Sequence, residues 1–228
     1  MRYIINGALG RMGCEMIRVA GEENICAKVD KNAHSDGYFS KIEDYTGGAD
    51  VIVDFSSHSS VYQLCDYACE NKIPLVIAST SHTCEEMQKI YRSCAVIPIF
   101  LSYNFSGGVF AINEFIKSLP NALEIKKVTI YEKHHKDKKD APSGTAVMFK
   151  DALVSMGYTG EVDMISVRDG DGYGEHTVTV ETDDEIITVK HEAGSRTLFA
   201  KGAVRAAEFI VSQKSGLYGM KDLINKRF

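Results

Sequence analysis

The chain has 228 residues, of which 44% are hydrophobic and 25% charged, with a formal net charge of −5. That composition is ordinary for a soluble globular protein of one large or two small domains. It argues against general nucleic-acid binding, and no run approaches the ~18 apolar residues needed to span a bilayer.

Arg2 to Asn6 reads as a short buried strand running into Gly7-Ala8-Leu9-Gly10-Arg11-Met12-Gly13. A helical pattern follows, with Met12, Met16, Val19 and Ala20 apolar. Glycines at that position permit a tight turn and let the backbone approach a pyrophosphate, whose charge the helix N-terminus attracts. The spacing is Gly-x-x-Gly-x-x-Gly rather than Gly-x-Gly-x-x-Gly. Ile25 to Val29 is a second strand and Asp30 stands at its end, about 20 residues past the glycines, where an acidic residue of a dinucleotide fold meets the adenosine ribose. Lys31 follows. Asn32 to Gly48 reads as polar loop.

Strands are expected at Ala49–Phe55, Ile73–Ala78 and Ala95–Phe100, alternating with helices at about Ser60–Glu70 and Cys84–Arg92. This alternation predicts a doubly wound, Rossmann-like parallel sheet, with ligands at the carboxyl ends of its strands. Those ends are the glycine turn, Asp30, Ser56-Ser57, Ala78-Ser79-Thr80 and Ser102-Tyr103-Asn104-Phe105. Gly107 and Gly108 suit either a hinge or the start of a helix; Val109 to Lys117 is helical. The six cysteines, including Cys65 and Cys69 one helical turn apart, show no Cys-x-x-Cys and no histidine at finger spacing. They read as free thiols of a reduced, cytoplasmic protein without a metal site.

The most informative stretch is Tyr131 to Ala146, Tyr-Glu-Lys-His-His-Lys-Asp-Lys-Lys-Asp-Ala-Pro-Ser-Gly-Thr-Ala. Ile125 to Tyr131 before it alternates as a strand, and Ser143 after it is a natural N-cap for a helix over Gly144–Met156. The first N–H groups of that helix, at Gly144 and Thr145, would attract a carboxylate. On extended backbone His134 and His135 point to opposite sides, so one can face a reacting centre and the other a second part of the ligand. Histidine is the side chain best placed to give a proton near neutral pH. Lys138 supplies a fixed positive charge or a second proton. Further strands at Val162–Arg168, Glu175–Glu181 and Ile186–Glu192, with few helices between them, predict a smaller α+β unit with an open, partly antiparallel sheet. His176 and His191 are read as structural residues.

Glu132-x-His134-His135-x-x-Lys138-x-Asp140-Ala141-Pro142-Ser143-Gly144-Thr145-Ala146 resembles the signature of the 4-hydroxy-tetrahydrodipicolinate (dihydrodipicolinate) reductases. Asn104-Phe105-Ser106, Gly174-Glu175-His176, the His191–Arg196 and Phe199–Ala207 segments and Gly216–Leu223 resemble family segments too. The resemblance implies NAD(P)H-dependent reduction of a cyclic dicarboxylate in the diaminopimelate route to lysine. It implies His134 as proton donor or acceptor, Lys138 as a proton donor, and His135, Gly144 and Thr145 as substrate contacts. It further implies cofactor contacts at Gly7 to Met12, Asp30, Lys31, Ala78 to Thr80 and Ser102 to Phe105, and a homotetramer assembled through the second domain. Residues 1–104, completed by 203–228, would form the dinucleotide domain, and 105–202 the substrate and assembly domain. The family's Gly-Thr-Thr-Gly loop reads Ala78-Ser79-Thr80-Ser81 here, leaving less room for close backbone approach. Asp30 would accept hydrogen bonds from both ribose hydroxyls of NADH and repel a 2′-phosphate; Lys31 would offset part of that repulsion. The expected cofactor use is dual, leaning to NADH. Alternatives are another two-domain dehydrogenase, such as an aspartate dehydrogenase, and a dinucleotide sensor without turnover.

Overall fold

The computed structural model describes residues 1–136, 138–170 and 172–225. Asp137 of the signature stretch and the last three residues of the expected C-terminal segment lie outside them. The chain divides into two units, one formed by Met1–Phe105 with the chain from Phe199 onward, the other by Ser106–Leu198.

In the first unit the elements run β1 (Tyr3–Asn6), α1 (Arg11–Ala20), β2 (Ile25–Val29), β3 (Tyr38–Phe39), β4 (Val51–Asp54), α2 (Val61–Asn71), β5 (Leu75–Ile77), α3 (Cys84–Ser93) and β6 (Pro98–Leu101). The seven-stranded sheet has the order β11-β6-β5-β4-β1-β2-β3, with every pair parallel; β11 is Gly216–Tyr218. A parallel sheet covered on both faces explains why β1 and β4 are uninterrupted buried runs. Ile4, Ile52, Leu75, Ile77 and Ile99 pack with Val61, Leu64 and Ala68 of α2 and Ile90 of α3. Phe100, the next residue along β6, instead stacks on Phe105 and meets Phe209 edge-on. Thr83 starts α3 with a full capping box to Glu86.

The Asn32–Gly48 stretch is not all loop. It contributes the edge strand β3 and the buried Ile42, both too short or too isolated in the sequence to show periodicity. The buried residues of α1 are Gly13, Met16 and Ile17, not the face through Met12 and Val19. A Cβ at Gly13 would collide with the Gly7 carbonyl, so glycine there lets the helix sit on the turn.

The second unit holds α4 (Gly107–Ala122), β7 (Lys127–His134), α5 (Gly144–Ser155), β8 (Val162–Arg168), β9 (Glu175–Glu181) and β10 (Ile186–Glu192). Its four strands lie in the order β10-β9-β7-β8, with β7 and β8 parallel and the other pairs antiparallel. Val109, Ile116 and Leu119 of α4 and Phe149 and Leu153 of α5 pack on Val128, Ile130, Val178 and Val180. Ile165 and Ile186 are exposed on this sheet. Gly107 and Gly108 are the first two residues of α4, behind the N-cap Ser106. A Cβ at Gly108 would stand 3.0 Å from the His191 ring. Strand β7 runs three residues beyond the expected end at Tyr131, so His134 closes the strand. The chain then ends with α6 (Thr197–Ile210), β11 and α7 (Met220–Asn225). No helix among the described residues is long and apolar enough to cross a membrane.

Candidate active site

In the first unit a crevice of about 360 Å3 opens at the carboxyl ends of β1, β2 and β4 and is lined by Gly7, Gly10, Asp30, Lys31, Ser56 and Gln63 among others. This is where the strand order reverses, with β2 on one side of β1 and β4 on the other, the usual ligand position of an open α/β sheet. Gly7 has φ +78, and a Cβ there would stand 2.8 Å from the Phe55 backbone. The N–H groups of Gly7 and Ala8 both donate to the Val29 carbonyl, at 2.8 and 3.0 Å. Asp30 is buried and ties the turn down: it accepts from the N–H of Leu9 at 3.1 Å and of Asn32 at 3.0 Å. The turn is thus a closed backbone cradle with no side chain at its two glycines, which fits the approach of a pyrophosphate.

Four of the expected cofactor residues, Gly7, Gly10, Asp30 and Lys31, meet at this crevice; Leu9 and Arg11 are exposed beside it and Met12 is half-buried. Ala8 is buried. In the two later loops the hydroxyls of Ser79 and Ser102 are used internally. Ser79 donates to Asp54 at 2.8 Å, and Ala78 N–H donates to the Asp54 carbonyl at 2.9 Å. Thr80 is exposed, and Ser81 takes φ +66, a conformation that glycine adopts without strain. Ser102 Oγ donates to the Asn104 carbonyl at 2.6 Å, Tyr103 is exposed, and Phe105 is a core residue. Any contact Phe105 makes to a ligand falls to its backbone.

Asp54 is the hub of this end of the sheet and was not foreseen. It is fully buried and accepts from Asn6 Nδ2 at 2.8 Å, Ser56 N–H at 3.0 Å, Ser56 Oγ at 2.5 Å and Ser79 Oγ at 2.8 Å. Burial raises its pKa, and these neutral donors only partly oppose that. A carboxylate closing the apolar run Val51-Ile52-Val53 was the available signal.

In the second unit the signature residues assemble around the end of β7. Period-two alternation turns Glu132 and His134 to the same buried side as Val128 and Ile130. Parallel pairing sets Arg168 of β8 level with His134. Arg168 grips Glu132 bidentately, Nη2 to Oε1 at 2.6 Å and Nη1 to Oε2 at 2.8 Å. The Ser143 N–H donates to Glu132 Oε1 at 3.2 Å, and His134 Nδ1 bonds Glu132 Oε2. Burial alone would raise the Glu132 pKa, but the bonds from Arg168, Ser166 and His134 outweigh it and hold the carboxyl at about 2. Burial lowers the His134 pKa, with Glu132 opposing and Lys138 and Arg168 assisting.

His176 of β9 completes the cluster. Its ring stands 5.0 Å from that of His134, edge to face, and its Nε2 shares a 2.9 Å hydrogen bond with Ser143 Oγ, the N-cap of α5. Burial, then the neighbouring His134, depresses its pKa to about 3, so it is neutral near pH 7. Lys138 pairs with Asp140 at 2.8 Å. His135 is half-buried, Thr145 half-buried and Gly144 exposed, with open space where a Gly144 side chain would project. Among the described residues no three His, Cys, Asp or Glu side chains group as metal ligands.

Two family domains cover the chain: "Dihydrodipicolinate reductase, N-terminus" matches residues 1–105 and "Dihydrodipicolinate reductase, C-terminus" matches residues 108–224. The chain belongs to the dihydrodipicolinate reductase family. It is 38% identical to the 4-hydroxy-tetrahydrodipicolinate reductase of Caldanaerobacter subterraneus subsp. tengcongensis, over 99% of each chain. It is 34% identical to the enzyme of that name from Clostridium novyi, again over 99% of each. The dipicolinate-bound dihydrodipicolinate reductase from Paenisporosarcina sp. TG-14 shares its fold, with a TM-score of 0.79 at 22% identity over 97% of this chain and 98% of that one.

Within this reductase family chain, sequence reading missed two cluster members besides Asp54. Glu132 was quoted in the motif without a task, although the β7 alternation put it on the His134 face. His176 has the structural place expected of it, buried and bonded to the Ser143 cap, with His134 edge-on beside it. Arg168 carried no local signal, because its place depends on the β7–β8 register.

Proposed function

We propose that this chain catalyses the NAD(P)H-dependent reduction of 4-hydroxy-tetrahydrodipicolinate, through its dehydrated form, to tetrahydrodipicolinate, and so serves the diaminopimelate route to lysine in the cytoplasm. The observation that carries this reading is His134 itself. It is a buried imidazole with one ring nitrogen committed to an ionised carboxylate, beside the N-terminus of a helix suited to carboxylates.

The glycine turn, with Asp30 and Lys31, holds the dinucleotide, and Ala78 to Thr80 and Ser102 to Phe105 contribute chiefly backbone groups. When bound, the reduced nicotinamide supplies a hydride. His134 delivers the accompanying proton. Lys138, His135 and the N–H groups of Gly144 and Thr145 hold the substrate carboxylates. Cofactor use is dual and leans to NADH, because Asp30 opposes a 2′-phosphate and the exposed Lys31 answers it only as a flexible point charge. The second unit's sheet, with Ile165 and Ile186 exposed, supports assembly as a homotetramer through that unit.

The test is optical: oxidation of NADH and of NADPH with and without the cyclic substrate. The His134→Gln variant should lose about 10²–10⁴-fold in kcat, the usual contribution of a general acid, with cofactor affinity unchanged. Retention of more than a third of wild-type turnover would sink the assignment of His134.

A further inference from the structure

His134 has two ring nitrogens, and the cluster around it treats them differently. Glu132 is ionised near neutrality and can only accept, so the Nδ1 bonded to it must carry a proton. Nε2 lies on the other side, toward Gly174, where an added Cβ would stand 2.8 Å from it. Glycine at 174, with φ +127, therefore leaves that nitrogen space.

We propose that Glu132 and Arg168 are positioning residues for the reaction: Arg168 and the Ser143 N–H lock the Glu132 carboxylate, and Glu132 locks His134 with its proton on Nδ1, leaving Nε2 as the atom that exchanges a proton with substrate. This rests on the function proposed above and assigns its proton chemistry to one nitrogen. Each carboxylate oxygen already has two donors. Oε1 takes Arg168 Nη2 and Ser143 N–H; Oε2 takes Arg168 Nη1 and His134 Nδ1. The carboxylate cannot rotate without losing several of these bonds, and turning the imidazole over would put its Cδ2–H where Nδ1–H now meets the carboxylate, so the hydrogen bond would be lost. The other groups facing the ring are Lys138 from the following loop, Arg168 from β8 and the neutral His176 from β9. None replaces the acceptor that Glu132 provides.

The arrangement makes a specific forecast for Glu132→Gln. Placing the amide NH2 at the Oε1 position would oppose two donors, Arg168 and Ser143. Placing it at the Oε2 position opposes Arg168 Nη1 but spares the Ser143 N–H, and the NH2 then donates to His134 Nδ1. The neutral imidazole must respond by moving its proton to Nε2, the wrong tautomer for a site that requires Nε2 to take up and release a proton.

The experiment is 15N NMR of the histidine rings in the full-length protein, wild type and E132Q, with kcat and KM measured on the same samples across pH. In wild type the neutral His134 ring should carry its proton on Nδ1. In E132Q it should carry it on Nε2, kcat should fall about 10²-fold or more, and KM for the cyclic substrate should stay within about threefold. The alkaline limb of kcat/KM should also move to lower pH, because Glu132 is the group that raises the His134 pKa against burial, Lys138 and Arg168. Arg168→Lys, which keeps the charge but not the fork, should give a smaller loss than Arg168→Met. An Nε2-protonated neutral ring in wild type overturns the proposal, whether or not the variants fold. So does a folded E132Q with an unchanged tautomer and kcat within about threefold of wild type. A wild-type chain with the forecast tautomer but no turnover of the cyclic substrate would instead overturn the proposed function, leaving the positioning geometry supported.

Discussion

Two buried carboxylates, one in each unit, are handled in opposite ways. Asp54 is surrounded by an amide, two hydroxyls and a backbone N–H, all neutral, and burial raises its pKa. Glu132 is as deeply buried, but a guanidinium fork and an imidazole hold its pKa at about 2. Neutral donors satisfy lone pairs without compensating the desolvation of a full charge; a fixed cation does both. Asp54 thus fastens strand ends and loops together, whereas Glu132 keeps a permanent negative charge against a histidine.

The sharpest way to break this comparison is to remove each carboxylate. Glu132→Ala strands the Arg168 cation in a mostly buried site and should destabilise the second unit by roughly 3–5 kcal/mol. Asp54→Asn should cost about 1 kcal/mol or less, because its amide can take the Oδ2 position and the Ser79 hydroxyl can turn from donor to acceptor. Chemical denaturation of the two variants reads the difference. Equal losses would mean that the charge on Arg168 is not what separates the two sites.

Acid should act on the two carboxylates with opposite sign. The Glu132 pKa is depressed in the fold, so its stabilisation is present above its ordinary value of 4.5 and is lost as pH falls toward about 2. His176 prefers to stay neutral: the unfolded chain takes up a proton below 6.5, while the folded ring resists down to about 3. Its contribution, at most roughly 5 kcal/mol, therefore disappears across that window as pH falls. Asp54 has a raised pKa, so its share of stability is fully present below the ordinary value of 3.8 and is lost as pH rises through the folded one. Hydrogen exchange followed from pH 7 to 3 should show β7 and β9 losing protection before β1 and β4. The reverse order would contradict these assignments.

The smallest expected effect tests the exposed charges of the first unit against the buried ones of the second. Lys31→Ala should weaken NADPH use several-fold and NADH use hardly at all, and added salt should do the same to wild type, since exposed charges are screened within a Debye length of ~8 Å. A wild-type kcat/KM favouring NADPH by more than about tenfold would mean that Asp30 does not read the ribose.

Much of the molecule was legible from the chain. Buried parallel strands announce themselves as short apolar runs, and β8, β9 and β10 were expected at the residues where they occur, β9 and β10 because alternation along a half-covered sheet is a local property. The glycine turn, Asp30 and the His134–Ala146 string were equally local, since each depends on residues adjacent in sequence. Strand β3 escaped because two residues carry no period, and the start of α4 at Gly107 because glycine suits a hinge and a helix start alike. What the sequence by itself could not determine was which distant side chains meet. Arg168 reaches Glu132 from 36 residues away only through the β7–β8 register, and His176 reaches Ser143 only through the antiparallel pairing of β9 on β7. Asn6 and Ser79 converge on Asp54 because β1 and β5 flank β4. Propensity and periodicity are set by neighbours along the chain, but the protonation state of a buried group is set by neighbours in space. The tertiary structure alone therefore decided that Glu132 is held toward its charged form, that His176 is held toward its neutral one and that one nitrogen of His134 faces a carboxylate.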